Sequence, residues 1–188
     1  MKILSKKEFL SKKKEMADEI KKGRIFVYPT DTIYGIGCDA SNGGAVKKIR
    51  ELKKRDDKPF SVIIPEKSWI RKNCFVNENA EKWLGRLPGA YTLILKLRNW
   101  EAVAPEVNDG KDSLGVRIPD NWFADFLQEE EIVFVATSVN LSGESAIKEV
   151  SEIPEEMKHG IDYAIDDGIL AGKASSVVNL IRGEKIIR

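Results

Sequence analysis

The sequence contains very little histidine and cysteine and no long apolar run. Its 188 residues include one histidine, His159, and two cysteines, Cys38 and Cys74. These residues show no metal-ligand spacing, and so few cysteines suit a reducing compartment. The longest apolar runs are only as long as a β-strand, so we predict no transmembrane helix. Residues 1–16 lack the apolar core of a signal peptide, and we expect a cytoplasmic protein without membrane association.

A paired nucleophile and base is also missing, because the sequence offers no Ser-His-Asp arrangement. The candidate groups that remain are hydroxyls, amides, lysines and arginines, which bind and polarise anions. Such groups suit a reaction whose catalysis consists of positioning and charge stabilisation, such as transfer at a phosphate.

The charge is distributed unevenly along the chain. The net charge is only +1, yet residues 1–58 hold 16 Lys and Arg against 9 Asp and Glu, a local excess of +7. A surface rich in lysine and arginine suggests an anionic partner such as a nucleotide or RNA. The alternative is a solvated helix face with no partner at all.

The pattern of apolar residues predicts one domain over residues 1–188, with an α/β fold built on a mixed, twisted sheet flanked by helices. Ser5 and Glu8 are spaced as a capping box, which predicts a helix to about Lys22. Further helices are predicted over 44–54, 77–87 and 121–128, strands over 25–28, 61–64, 92–97, 114–118 and 132–136, and a hairpin from 177–181 and 185–187.

Polar residues follow two of the predicted buried strands. Thr30 and Thr32 come after Pro29, and Ser138 and Asn140 follow the strand that ends at Ala136. Ligands bind at strand ends in α/β sheets, so these residues are candidates for a site. Ordinary turns, in which such side chains bond their own backbone, explain the same residue types.

Cations appear at two further places that suggest a site. Lys53, Arg55 and Lys58 lie at the end of a predicted helix, where they either favour the helix dipole or grip a carboxylate or phosphate. Arg117 lies inside an apolar strand, where an unpaired charge is costly. It therefore either meets a structural carboxylate or points into a site. The stretch 35–40 matches the letters of a dinucleotide fingerprint but begins too far after the strand that ends before Pro29. The stretch 168–174 has one residue too few between its glycines for a P-loop and carries Ala174 in place of the Ser or Thr.

Six motifs occur in a fixed order along the chain. They are PTDTIYGIG at 29–37, K-x-R at Lys53 and Arg55, LPGAYTLIL at 87–95, GVRIP at 115–119, ATSVNLSGE at 136–144 and SSVVNL at 175–180. Together they resemble the YrdC-like threonylcarbamoyl-AMP synthases in their single-domain form, over about residues 8–188. The resemblance implies a YrdC-like sheet with a concave, positively charged cavity. It also implies condensation of L-threonine, bicarbonate and ATP, with Mg²⁺, into threonylcarbamoyl-AMP and pyrophosphate.

Carried over residue by residue, the resemblance implies a site with two parts. Thr32, Arg117, Ser138 and Ser175 are expected to bind threonine, with Arg117 on its carboxylate. The expected contacts of ATP are Arg55, Lys58, Ser113, Asn140 and Arg188, and Lys53 with Arg55 is expected to form the catalytic clamp on phosphate and carboxylate. No metal-binding residue is implied.

The resemblance also implies partners. A separate threonylcarbamoyl transferase is expected to pass the group to tRNA, and tRNA or double-stranded RNA is a possible contact. The sequence departs from the family at Asp56 and Asp57, which stand between Arg55 and the next lysine, and at Ile63, where some members carry histidine. The alternative is therefore a non-catalytic protein of the same fold that binds tRNA or rRNA.

Overall fold

A mixed β-sheet with helices on both faces organises the computed structural model, which describes residues 1–54, 58–141 and 144–187. The described residues contribute ten strands to this sheet. In chain order the strands are β1 Lys2–Ser5, β2 Phe26–Tyr28, β3 Gly35–Gly37, β4 Ser61–Ile63, β5 Tyr91–Lys96, β6 Ser113–Arg117, β7 Phe134–Ser138, β8 Tyr163–Asp166, β9 Ser176–Asn179 and β10 Lys185–Ile186.

The strands do not lie in chain order within the sheet. Their order is β1-β8-β2-β3-β7-β4-β6-β5-β9-β10. Strands β8, β6 and β9 lie parallel to β2, β4 and β5 respectively, whereas β7 lies antiparallel to both of its neighbours. The predicted mixed sheet flanked by helices is therefore confirmed, as is the hairpin of β9 and β10.

Side-chain caps precede four of the eight α-helices of the described residues. In chain order the helices of the described residues are α1 Lys6–Ser11, α2 Lys13–Lys21, α3 Gly43–Leu52, α4 Lys67–Asn73, α5 Glu78–Leu84, α6 Pro105–Asn108, α7 Trp122–Glu129 and α8 Glu155–Lys158, with 3₁₀ turns at Trp100–Ala102 and Val150–Glu152. The capping box is present, because Ser5 Oγ accepts from the Glu8 amide while the Glu8 carboxylate accepts from the Ser5 amide. Asn42, Asn77 and Asn121 cap α3, α5 and α7 in the same way.

The first predicted helix is wrong in one respect, since it is interrupted at Lys12. The Lys12 amide donates to the carbonyl oxygen of Phe9 at 3.0 Å, which closes α1 with a tight turn. Lys12 has φ −123°, outside the helical range, and α2 starts afresh after it. None of the described helices is long and apolar enough to cross a membrane.

The two faces of the sheet carry different cores. One face packs aliphatic residues of the strands, such as Val62, Leu93 and Val116, against α3 and α5. The other face packs aromatic residues against α1, α2 and α7 over β1, β8, β2, β3 and part of β7, and this core reaches Ile63 on β4. We call this covered part the aromatic half; its rings are those of Phe9, Phe26, Tyr28, Phe123, Phe126 and Phe134.

Glycines make room for the rings of the aromatic half. Strand β3, which the sequence did not predict, pairs Gly35 with Tyr28 and Gly37 with Phe26. A Cβ at Gly35 would lie 2.6 Å from the Tyr28 ring, and one at Gly37 would lie 2.6 Å from the ring of Phe134. Since real Cβ atoms do not approach so closely, β3 can lie beside these rings only because it carries no side chain there.

Candidate active site

Beyond the aromatic half, the same face of the sheet is open and forms a cavity of about 430 Å³. Its floor consists of the small residues Ser61, Thr92, Gly115 and Ala136, which we call the cavity half. Ser61 pairs with Ala136 on one side and with Gly115 on the other, so three of these residues are neighbours across β7, β4 and β6. A site therefore exists on this face because small side chains leave its centre empty.

The threonine-rich segment after β2 forms a compact turn beside the cavity. Thr30 Oγ1 accepts from the amides of Thr32 and Ile33 at 3.1 and 3.2 Å and donates to the carbonyl of Ile33 at 2.7 Å. The hydroxyl oxygens of Thr30 and Thr32 lie 2.8 Å apart. Thr30 lines the cavity, whereas Thr32 is buried and is absent from the described lining. The segment therefore forms an ordinary turn, as the alternative explanation predicted, and this turn lies beside the cavity.

Arg117 meets a carboxylate and also lines the cavity. Its Nη2 donates to Asp31 Oδ1 at 2.6 Å, and both side chains are about nine-tenths buried. The other Asp31 oxygen accepts from the Asp120 amide at 3.1 Å. The two explanations that the sequence left open for Arg117 are therefore compatible, because the ion pair orients a guanidinium that borders the cavity.

Ser138 and Asn140 lie together, as their spacing predicts. Ser138 Oγ donates to Asn140 Oδ1 at 2.5 Å. The ammonium of Lys53 donates to the carbonyl oxygens of Ser138 and Asn140 at 2.5 and 2.8 Å, and to Asn140 Oδ1 at 3.1 Å. Lys53 is buried and is absent from the described lining, whereas Ser138 borders the cavity. Lys53 thus holds the Ser138–Asn140 segment in place, and its role as a clamp stays a prediction.

The remaining predicted residues divide into three groups. Ser175 and Ser113 line the cavity, and Ser175 Oγ lies 2.8 Å from the hydroxyl oxygen of Thr92 on β5. Lys58 is exposed and is absent from the described lining. Arg55 and Arg188 lie outside the described residues, and their roles stay predictions.

The electrostatics of the described lining depend on one cation. Among the lining residues that the structure describes, Arg117 alone carries a charge, so the predicted basic character of the whole cavity stays a prediction. Burial raises the pKa of both Tyr28 and Tyr34, so both hydroxyls stay protonated at neutral pH. The described residues include no cluster of three or more histidine, cysteine or acidic side chains that could hold a metal ion.

Sequence reasoning missed several residues of the cavity. Ser61 is the first residue of β4 and Thr92 the second of β5, and both border the cavity only through the pairing of distant strands. Tyr34 belongs to a motif that we quoted, yet no role was assigned to it. Nothing in the local sequence marks a small strand residue as a cavity floor, so these residues had no usable signal.

The sequence agrees with a known family over most of its length. The family model described as "Sua5_yciO_yrdC: Telomere recombination" matches residues 18–188. The chain belongs to the Sua5/YciO/YrdC family. The resemblance that the six motifs indicated is therefore confirmed.

Relatives within the Sua5/YciO/YrdC family are similar over nearly the whole chain. A protein of Methanocaldococcus jannaschii is 37% identical over 185 residues, which are 96% of this chain and 82% of the relative. The threonylcarbamoyl-AMP synthase of Idiomarina loihiensis is 28% identical over 173 residues, 89% of this chain and 91% of that enzyme.

A solved Sua5 structure is similar in fold. The crystal structure of P. abyssi Sua5 complexed with L-threonine overlays with a TM-score of 0.88 and 28% identity, covering 100% of this chain. This chain spans only 56% of that longer Sua5 chain. The structural likeness therefore concerns part of the P. abyssi protein.

Proposed function

We propose that this protein is an L-threonylcarbamoyladenylate synthase, which condenses L-threonine, bicarbonate and ATP into threonylcarbamoyl-AMP and pyrophosphate. One observation carries the proposal. A cavity bordered by Arg117, Ser138 and Ser175 lies in a chain that overlays with a TM-score of 0.88 on a Sua5 protein complexed with L-threonine. The name of the Idiomarina relative supports the same activity.

The threonine would lie against the residues that border the cavity. Arg117 has the planar, permanently charged group that pairs best with a carboxylate, and Asp31 already holds it in place. Ser138 and Ser175 would bind the amine and hydroxyl of threonine, and Thr32 would support this wall from beneath. Thr32 would therefore act on the site indirectly, through its hydrogen bond with Thr30.

The ATP would occupy the rest of the cavity. Ser113 borders it, Asn140 is held beside Ser138 by Lys53, and Arg55, Lys58 and Arg188 are proposed as phosphate contacts. The described residues offer no carboxylate cluster that would fit a resident Mg²⁺ ion. We propose that Mg²⁺ arrives bound to the phosphates of ATP, its usual partners in nucleotide enzymes.

The chemistry needs positioning more than a protein nucleophile. The threonine amine must take up CO₂ from bicarbonate, and a carbamate oxygen must then attack the α-phosphorus of ATP while pyrophosphate leaves. The reacting groups are all anionic, so their mutual repulsion is the main obstacle, and fixed donors such as Arg117 reduce it. No covalent enzyme intermediate is required.

The product would be used elsewhere. A mixed anhydride of a carbamate and a phosphate is a reactive donor, and we propose that a separate transferase in the cytoplasm passes the group to tRNA. Direct contact of tRNA or double-stranded RNA with this protein is part of the same proposal. A filter-binding titration of tRNA against salt would test it, because phosphate contacts make affinity fall steeply with ionic strength.

The test of the activity is pyrophosphate release from ATP with Mg²⁺ and bicarbonate, with and without L-threonine. We expect threonine-dependent release that Ser138→Ala reduces by about tenfold or more, the scale of one hydrogen bond to a charged group. Ser151→Ala is the matched control, because Ser151 is exposed and lies outside the cavity lining.

Two outcomes would count against the proposal. If a folded sample releases pyrophosphate equally with and without L-threonine, the protein is not this synthase. Equal losses in Ser138→Ala and Ser151→Ala would show that the cavity is not the site of the reaction.

A further inference from the structure

Tyr34 lies where three chain segments of the candidate site meet. It belongs to the turn that carries Thr30 and Thr32, and its side chain is completely buried. Its carbonyl oxygen accepts from the amide of Val139 at 3.2 Å, between Ser138 and Asn140. Its hydroxyl donates to the carbonyl oxygen of Gly168 at 2.7 Å and accepts from the amide of Asp167 at 3.0 Å.

The third segment is the loop over residues 167–175, which joins β8 to β9. The Tyr34 hydroxyl fixes its first two residues. The loop then bonds the carbonyl of Lys148 through the Leu170 amide at 2.8 Å. At Gly172 it passes so close to the Thr32 backbone that a Cβ there would collide with the carbonyl oxygen of Thr32. It ends at Ser175, which borders the cavity.

One hydroxyl therefore connects the start of this loop to the wall that carries Thr32. The protonated Tyr34 hydroxyl donates to Gly168 and accepts from Asp167 at the same time, and burial raises its pKa further above the ordinary tyrosine value. Both loop partners lie in exposed residues. Since both hydrogen bonds are only part-buried, removing the hydroxyl would free the loop at the cost of about one lost hydrogen bond.

We propose that Tyr34 is a positioning residue for the amino-acid part of the site: it sets the distance between Thr32 and Ser175 by pinning loop 167–175. This inference rests on the proposed function. ATP contacts such as Ser113 lie on β6 and depend on strand pairing instead. Loss of the Tyr34 hydroxyl should therefore weaken binding of threonine and leave binding of the nucleotide nearly unchanged.

The decisive experiment compares Tyr34→Phe with Tyr163→Phe. The Tyr163 hydroxyl bonds Glu19 at 3.3 Å, outside the cavity lining, which makes it a matched control. Calorimetric titration with L-threonine should give about tenfold weaker binding for Tyr34→Phe only, the scale of one lost hydrogen bond. The affinity for a non-hydrolysable ATP analogue should stay within about twofold, and threonine KM should rise with kcat nearly constant.

Hydrogen exchange supplies a readout that does not depend on activity. The amide of Asp167 and its neighbours in loop 167–175 should exchange faster in Tyr34→Phe than in the wild type, while β5 and β6 exchange unchanged. Gly172→Ala is a second variant, which should weaken threonine binding because its methyl group displaces Thr32.

The outcomes separate this inference from the proposed function. A wild type that binds threonine while Tyr34→Phe binds it equally well would overturn the positioning role and leave the synthase intact. A wild type that does not bind threonine would refute the synthase, and the role of Tyr34 would also fall. Equal weakening of threonine and nucleotide binding would likewise overturn it, since this would indicate a general structural effect.

Discussion

The aromatic half and the cavity half lie on the same face of one sheet, yet they are built from opposite side chains. In the aromatic half, Tyr28 and Phe123 stack at 4.8 Å between centroids, and Phe134 meets Phe123 edge-on at 5.6 Å. In the cavity half the floor positions are Ser61, Thr92, Gly115 and Ala136. Helices α1, α2 and α7 cover the rings, while the small residues line the cavity.

This difference in side-chain size shows that one part of the sheet stabilises the fold while another part provides space for binding. Large rings under helices remove apolar surface from water, which stabilises the fold. Small residues beside them add little to burial and leave a space of about 430 Å³ for a ligand. Substitutions in the aromatic half should therefore affect folding, and substitutions in the cavity half should affect binding.

The largest effect is expected when a central ring is removed. Phe123→Ala should lower the free energy of unfolding by about 3–5 kcal/mol, because Phe123 is completely buried and contacts five other aromatic rings. Urea unfolding followed by circular dichroism measures this. Phe75→Ala, at a half-exposed ring, is the control and should change stability by less than about 0.5 kcal/mol. Similar losses for both would break the comparison.

A ring placed in the wrong half should have the opposite consequence. Ala136→Phe puts a large side chain on the cavity floor, where it would occupy the volume that a ligand needs. We expect binding of L-threonine and of an ATP analogue to weaken at least about a hundredfold. The stability should change by less than the roughly 1–3 kcal/mol that overpacking a filled interior costs. Unfolding of the variant would show that this half is packed rather than open.

Tyr28 lies at the boundary, because it packs against Phe123 and also lines the cavity. Its hydroxyl donates to the carbonyl oxygen of Val135 at 3.2 Å, so Tyr28→Phe should cost about 1 kcal/mol. Burial raises the pKa of Tyr28 above its ordinary value of 10.0, so the unfolded chain loses this proton first. Stability should therefore fall as pH rises above about 10.

That alkaline decline should be shallower in Tyr28→Phe than in the wild type. Thermal unfolding measured between neutral pH and the alkaline range checks both statements. An identical decline in the two proteins would mean that Tyr28 contributes nothing to it, and the boundary role assigned to its hydroxyl would be wrong.

The smallest effect on folding is expected from Ser61→Ala. Ser61 borders the cavity, so its hydroxyl can meet water or a ligand, and its loss should change the free energy of unfolding by less than about 0.5 kcal/mol. Chemical denaturation of the variant beside Ser68→Ala, an exposed serine on α4, provides the comparison. If Ser61→Ala alone lowered the free energy of unfolding by more than about 1 kcal/mol, Ser61 would belong to the packed core and not to the cavity half.

Much of the fold could be predicted because its signals are local. The capping box at Ser5, the asparagine caps and the buried strand at Phe134–Ser138 each depend on a few neighbouring residues. Strand β3 was missed because its glycines are meaningful only beside the Tyr28 and Phe134 rings. The short strand β8 was missed as well, since it is defined by its pairing with β1 and β2.

The site was predictable where a local residue type or spacing stands out, and not where a contact joins distant segments. Ser138 was expected to follow its strand and is instead the last residue of β7. Ser138 and Asn140 come together as their spacing of two predicts. Arg117 was recognisable because a charge in an apolar strand demands an explanation. By contrast, the partner of Arg117, Asp31, and the hydrogen bond between Thr92 and Ser175 join residues that are 86 and 83 positions apart. No local pattern encodes such contacts.

The pairing of β1 with β8 has a consequence for synthesis on the ribosome. Residues 2–5 are synthesised well before their described strand partner, residues 163–166. Strand β2 pairs with β3 on one side and with β8 on the other, so its pairing is also incomplete until β8 has been made. A nascent chain thus exposes Phe9, Met16 and Phe26 until most of the protein has been made, since long-range pairing is slow to form. A chain that exposes these apolar residues is prone to aggregate until β8 is available for pairing.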